Sequence, residues 1–456
     1  MRVACVHIPQ FALQTLTRVD PTLRGAAVAV VGATGSDTSG PDGGRAALHS
    51  PIVQACSRAA WALGVRTGMT AAAAHGLAPG QLRVVTADPK LERETVRAIA
   101  DALLGVAGGS TLGSNRGQSG APLVDVGGRV GTGAHLAMYC EVPTKTRGSS
   151  YGDRLLEILD VLGVTGRIGI ADDRFTAWVA AAHGGSEERG VISVPRGGSA
   201  AFLAPRPLAL LGITPEVQHM LEALGVATLG EFAALPAPSV ARPLEADYQA
   251  LARGDGGALL RPYAPEAPVR EELVELGPVD PVAGTMFERG TTIERLAERI
   301  ALRLAGRGRG AVRFEVEVIT PSGENQDRFG EPGRVLETAT ELTTAIGDAV
   351  RTIRGSSDSA DTLAQRIRVT VIGEAIAGAG EELAADVPTP ANDMLGVVLT
   401  TTGSPAVWQL APPSGPSGST AHRLGERRDA YRRTRRGKHQ RRRTLSAGGA
   451  QRQLFK

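Results

Sequence analysis

Residues 1–31 read MRVACVHIPQFALQTLTRVDPTLRGAAVAVV, and this stretch decides the fold class. Val3 to Ile8 is an apolar run of strand length that stops at Pro9, and Phe11 to Leu16 begins a helix behind it. Ala27 to Val31 is a second apolar strand. Strand, helix and strand in quick succession predict an α/β opening.

Outward from there, GATGSDTSGPDGG (32–44) is turn-rich and predicts a solvated loop. Residues 51–78 are Ala-rich and helical in pattern, and residues 91–106 set Val96, Ile99, Ala100, Leu103 and Leu104 on one helical face. GGSTLGSNRGQSG (108–120) predicts another loop. A helix follows over 151–162, with Leu155, Leu156, Leu159 and Leu162 on one side, then a short strand at Arg167 to Ile170 and a helix over 173–183. Residues 208–236, LALLGITPEVQHMLEALGVATLGEFAALP, read as short helices around small turns; Pro215 suits a first turn and Gly225 a helix end. The pattern resembles a helix-hairpin-helix, whose turn N–H groups hold a DNA phosphate. Gly212, Ile213, Thr214 and Gly225 are then the candidate DNA contacts. The second glycine of the usual Gly-x-Gly is missing, and plain helix packing explains the pattern equally well.

RPYAPEAPVR (261–270) predicts a Pro-rich linker. Beyond it Ile293, Leu296, Ala297, Ile300 and Leu304 form a helical stripe, and Val312, Phe314, Val316 and Val318 alternate with Arg313, Glu315 and Glu317 as a half-buried strand. A second helix carries Leu342, Ile346, Ala349, Val350 and Ile353, and a second strand Ile367, Val369 and Val371. This predicts a small sheet with helices on one face and the other face open to a partner.

The length of 456 residues suits about three domains. Cys5, Cys56 and Cys140 are odd in number and widely spaced, which fits neither a disulfide framework nor a zinc site and suits a reducing cytoplasm. The opening MRVACVHI is too short and polar for a signal peptide, and no stretch has the apolar length of a membrane span. The charge is segregated. Residues 421–456 hold eleven Arg and two Lys against Glu426 and Asp429, a net +11, which leaves −8 for residues 1–420 of a chain whose total is +3. Such a tail attracts phosphate.

Taken together, these phrases resemble the Y-family (translesion) DNA polymerases over about residues 1–400. Leu23-Arg24-Gly25-Ala26-Ala27-Val28-Ala29-Val30 is similar to the family's L-R-G-x-P-V-A-V, and Gly64-Val65-Arg66-Thr67-Gly68-Met69 to its G-V-x-x-G-M, with Pro79 following. Gly169-Ile170-Ala171-Asp172-Asp173-Arg174, with Ala177, Ala180 and Ala181, resembles the palm helix phrase. Leu211-Gly212-Ile213, Leu224 to Gly230 and Leu251-Ala252-Arg253-Gly254-Asp255 resemble the thumb. The resemblance implies an α/β and α+β multidomain chain with right-hand architecture. Its parts are a palm over 1–190 with fingers inserted at about 32–82, a thumb with helix-hairpin-helix over 191–258, a little-finger-like domain over 268–400, and a disordered basic tail over 401–456.

Polymerases of this family need two divalent ions held by carboxylate oxygens. Aligned with the family's D-x-D-x-F-F-A, the segment Val6-His7-Ile8-Pro9-Gln10-Phe11-Ala12 sets Val6 and Ile8 at the acidic positions. Aligned with S-x-D-E-A-x-L-D-V, Gln118 to Val126 sets Gly120 and Ala121 at the paired acids and keeps Val124-Asp125-Val126. The triphosphate clamp Y-x-A-R is replaced by Arg58, Ala59, Ala60 and Trp61, while Arg174 stands where the family has a triphosphate-binding lysine. No catalytic residue, metal or cofactor is therefore expected. His7, beside the degenerate turn and without a ligand-spaced partner, reads as packed or solvent-facing. The pattern is similar to the non-catalytic ImuB-like branch, and that resemblance implies DNA, a bacterial sliding clamp, a RecA-like accessory protein (ImuA-like) and an error-prone replicative-type polymerase as partners.

The tail carries the rest. Arg432, Arg433, Arg435, Arg436, Lys438, Arg441, Arg442 and Arg443 are candidate phosphate contacts, or a solvated run that holds RNA or acidic proteins without specificity. Gln451-Arg452-Gln453-Leu454-Phe455 resembles the bacterial clamp-binding peptide, with Leu454 and Phe455 as apolar anchors and the Gln451 amide at the pocket edge. Two other readings stay open: an active lesion-bypass polymerase with displaced carboxylates at Asp125, Asp172 and Asp173, and a nucleic-acid-binding interaction protein unrelated to polymerases.

Overall fold

The computed structural model describes residues 2–32, 51–107, 124–130, 135–143, 146–185, 190–236, 243–257, 260–275, 289–320, 323–355 and 365–378. The chain divides into a body, Met1–Leu410, and a C-terminal unit, Ala411–Lys456, which lies outside the described residues.

The body is mixed α/β. It opens with strand β1 (Arg2–Ile8), helix α1 (Phe11–Val19) and strand β2 (Val28–Val31), as the opening residues predict. Strand β3 (Val53–Cys56), helices α2 (Arg58–Ala62) and α3 (Ala71–Leu77), strand β4 (Arg83–Thr86) and helix α4 (Pro89–Leu104) follow. β2 is the centre of a small sheet of order β3-β2-β4, antiparallel to β3 and parallel to β4. The Ala-rich stretch 51–78 is therefore not one helical region. Its start pairs as β3, and Gly64 and Gly68 take φ of 91° and 88°, which only glycine adopts freely and which interrupt any helix.

The main sheet is completed by β5 (Val124–Val130), β6 (His135–Val142), helix α5 (Gly148–Leu162), β7 (Arg167–Ala171), helix α6 (Arg174–His183) and β8 (Gly190–Ser193). Its order is β5-β6-β1-β7-β8, with β1 antiparallel to both neighbours and β7 parallel to β8. Ala4, Val6 and Ile8 of β1 enter one core with Ile99 and Leu103 of α4 and Leu155 and Leu159 of α5. Val3 and Cys5 point to the opposite face, where Tyr139, Ala171 and Ala177, Ala180 and Ala181 of α6 pack. Gly169 permits that contact, since a Cβ there would lie 2.0 Å from the Ala177 carbonyl oxygen.

Helices α7 (Ser199–Leu203), α8 (Pro215–Ala223), α9 (Leu229–Ala234) and α10 (Pro243–Ala252) close around Leu208, Leu211, Leu221, Leu229 and Phe232. Strand β9 (Val269–Glu275), helix α11 (Arg289–Arg307), strands β10 (Arg309–Ile319) and β11 (Asn325–Gly330), helix α12 (Ala339–Gly355) and strand β12 (Gln365–Ile376) form the last sheet, of order β11-β10-β12-β9. Phe314, Val316, Ile367 and Val369 face α11 and α12, which gives the predicted one-sided sheet. No helix among the described residues is long and apolar enough to cross a membrane.

The Pro-rich stretch is not a free spacer. The Tyr263 amide donates to the Val124 carbonyl at 2.8 Å, the Arg261 amide donates to the Asp125 carboxylate at 2.9 Å, and the Ala267 carbonyl accepts from Arg307 at 2.9 Å. The prolines hold the chain extended without needing donors, and the remaining backbone groups strap it to the edge of β5.

Candidate functional site

Strand alternation fixes what the end of β1 presents. Val6 pairs with Met138 and Ile168, and both it and Ile8 are fully buried among the residues of the α4–α5 core. A carboxylate at either position would point into hydrocarbon with no hydrogen-bond partner. Strand alternation sends the residue between them, His7, to the other face of the sheet. The position on the Cys5 and Tyr139 face is His7, which pairs with Ala137 and Arg167. Val6 and Ile8 are core positions, and His7 is buried on the opposite face of β1. Gly120 and Ala121 lie outside the described residues.

His7 is packed, at 3% exposure, and stacks on His135 with ring centroids 5.3 Å apart. Its Nδ1 and that of His135 have no hydrogen-bond partner among the described residues. Burial, then the neighbouring His135, Arg167 and His183, pulls the His7 pKa down to about 3. Burial and Arg167 lower His135 as well, and burial, Arg167, Arg206 and His135 lower His183. The corner is thus crowded with groups that disfavour further positive charge. The unfolded chain binds a proton at His7 below about pH 6.5 that the folded chain refuses down to about pH 3. The stability is complete above pH 6.5 and is lost as pH falls through that window. At pH 5 the loss from His7 is about 2 kcal/mol at 1.36 kcal/mol per unit. Urea unfolding at pH 7 and pH 5 is expected to show this drop, and His7→Gln to shrink it; an equal drop in both proteins would contradict the assignment.

The three carboxylates of the active-polymerase reading all have structural work. Asp125 of β5 pairs with Arg174 at 3.0 Å and accepts the Arg261 amide, while the Arg174 guanidinium sits 4.4 Å above the Tyr139 ring. Arg174, the basic residue where the family has a triphosphate-binding lysine, is thereby held against Asp125 and the Tyr139 ring. Asp172 accepts the Gly197 amide at 2.6 Å and pairs with Arg2 at 3.5 Å. Asp173 caps α6 through the Thr176 amide at 2.8 Å and accepts the Ser199 hydroxyl at 2.9 Å, and burial raises its pKa in spite of these bonds. Among the described residues no group of three or more His, Cys, Asp or Glu is arranged to hold a metal ion.

In the small sheet domain Trp61 is 56% exposed, and Arg66 stacks 4.1 Å over its ring while donating to the Trp61 carbonyl at 2.6 Å. Nothing in the sequence distinguished that pair from any other Arg and Trp five apart. In the hairpin region Gly212 and Gly225 take φ of 65° and 84° with open space around them, and Thr214 is exposed at the start of α8 without a side-chain cap. Both turns are accessible to a phosphate, although Glu216 in the first turn of α8 opposes an anion there. Ile213 is half-buried against the Leu208–Phe232 core and serves packing. The Arg432–Arg443 run and Gln451, Leu454 and Phe455 lie outside the described residues.

Residues 6–107 match the impB/mucB/samB family. A DNA polymerase IV from Dehalococcoides mccartyi is 28% identical over 206 residues, which is 42% of this chain and 50% of the relative; that of another strain is 40% identical over 77 residues, 17% of this chain and 19% of the relative. Residues 6–107 are thus similar to a Y-family polymerase domain. The chain spans about half the length, or less, of the relatives it matches. Among solved structures, an insertion ternary complex of Dbh DNA polymerase is similar at 15% identity and a TM-score of 0.44, over 81% of this chain and 98% of that one. DinB from Sulfolobus solfataricus is similar at 15% identity and a TM-score of 0.43, over 82% of this chain and 99% of that one.

Proposed function

We propose that this Y-family homologue is catalytically inactive and serves as a DNA- and clamp-binding scaffold in SOS-type translesion synthesis and induced mutagenesis, of the ImuB-like kind. The observation that supports the reading is the end of β1, where Val6 and Ile8 are aliphatic and buried and His7 packs on His135, so that this strand brings no carboxylate oxygen of the kind magnesium chemistry requires. The engagement of Asp125 by Arg174 supports it further. In this reading the palm spans 1–190, the thumb 191–258 and the little-finger-like domain 268–400, with a cytoplasmic, nucleoid-associated location. The partners are DNA, a sliding clamp taken by Gln451, Leu454 and Phe455, a RecA-like accessory protein and an error-prone replicative-type polymerase.

The basic run supplies most of the phosphate attraction. On the last sheet the cations Arg366 and Arg368 are paired with Glu272 and Glu317, and Arg313 with Glu331. Deleting residues 422–443 is expected to weaken duplex binding at low salt. The slope of log affinity against log salt then flattens by about 0.9 for each phosphate that the tail no longer neutralises. An unchanged slope places the phosphate-binding groups elsewhere and counts against the tail's role.

A further inference from the structure

Where the last sheet domain meets the first, the charges alternate from one side to the other in a buried row. Arg18 of α1 pairs with Glu271 of β9, and Glu271 pairs with Arg303 of α11 at 2.9 Å. Arg303 pairs with Asp101 of α4 at 2.8 Å, and Asp101 also takes Arg307 at 2.9 Å; Arg307 reaches Glu374 at 2.8 Å. Arg303 and Asp101 have no exposure, Glu271 1% and Arg18 2%. Tyr263 of the strap donates its hydroxyl to the second Asp101 oxygen at 3.0 Å. Each side contributes both signs, so neither half of the row is neutralised without the other.

The row is kept ionised. Burial alone would raise Glu271, but Arg18, Arg303 and Arg299 outweigh it and hold the carboxyl below its ordinary range. Burial likewise opposes the Arg303 charge, and Glu271 and Asp101 more than restore it.

The helices behind the row also fit closely. A Cβ on Gly306 of α11 would lie 1.9 Å from the Asp101 carbonyl oxygen, and one on Gly105, which caps the end of α4, would lie 3.1 Å from the Gly306 Cα. Leu302 and Tyr263 pack against the first core. Apolar contact supplies the drive, and the charges fix one register, since any slip leaves a buried charge unpaired.

We propose that this row clasps the last sheet domain to α1 and α4 as a permanent part of the body, so that residues 260–268 act as a strap rather than a hinge and nucleic acid meets a preset surface instead of a domain that swings closed. Buried pairs are little screened, so the clasp holds across the ionic strengths at which a basic tail releases DNA.

The full chain tests this with spin labels at Asp153→Cys and Glu324→Cys, both exposed, while Cys5, Cys56 and Cys140 are buried and spared. One narrow distance is expected in the free protein, unchanged at high salt and after a primer–template duplex is bound. A broad or two-peaked distribution, or a peak that moves on duplex binding, overturns the proposal. Asp101→Asn is expected to broaden the peak, and a peak that stays narrow shows the row is not the clasp. Where Asp101→Asn does not fold, Arg307→Met, which leaves Arg303 on Asp101, is read in the same way.

Discussion

Truncating Asp101 to alanine lowers the stability of the body by about 3–5 kcal/mol, the usual cost of leaving a buried ion without its partner. Arg303 then stands at no exposure with Glu271 as its remaining carboxylate among those of the row, Arg307 keeps Glu374 and the Ala267 carbonyl, and the Tyr263 hydroxyl loses its acceptor. The attraction between the partners is not the main term. The cost is the guanidinium left with one carboxylate of the row in place of two, where water cannot reach. Arg97→Ala makes the control, because its pair with Glu94 lies on the surface one turn apart and is worth about 0.5 kcal/mol or less. Urea midpoints for the two variants should differ by several-fold in their displacement from the parent. Equal, small displacements would mean that the ion row adds nothing to the domain contact.

Replacing Leu454 and Phe455 together by alanine is expected to abolish clamp capture under the proposed function. Apolar anchors that fill pockets cost about 2 kcal/mol or more each when truncated, so the pair removes roughly three orders of magnitude of affinity. DNA binding, which in the same proposal draws on the arginines upstream, should hardly change. A pull-down in which the double variant retains the clamp as the parent does would show that the terminal peptide has another role.

Much of the fold was legible because local periodicity and burial agree. The strands at Val3 to Ile8 and Val312 to Val318, and the helices carrying Ile99, Leu155 and Ile346, stand where their apolar spacing predicts. The stretch 51–78 misled because alanine favours helix locally, whereas β3 exists only through pairing with β2 and through two glycines in left-handed conformation. Strands β6 and β11 depend on the same kind of distant partner, and nothing in their own residues separates them from other mixed stretches. At the candidate site the absence of acidic side chains from Val3 to Ile8 is plain in the sequence, whereas the face each residue takes is not. A strand buried on both faces reads as continuously apolar, so the sequence does not say which side chains enter which core. The buried row was hidden for a related reason. Arg303 and Arg307 are four residues apart on a helix and look like an ordinary solvated face until α4 is laid against them. The strap was read as a spacer from its prolines, whereas its bonds to Val124 and Asp125 are tertiary.

Primer extension by the purified full chain, with magnesium and separately with manganese, on an undamaged and a lesion-bearing template, measures the central claim most directly. The account predicts no nucleotide addition with either ion above the level of a chain lacking Asp125. Robust extension that disappears in Asp125→Ala would contradict it, because that carboxylate would then have to leave Arg174 and serve a metal ion.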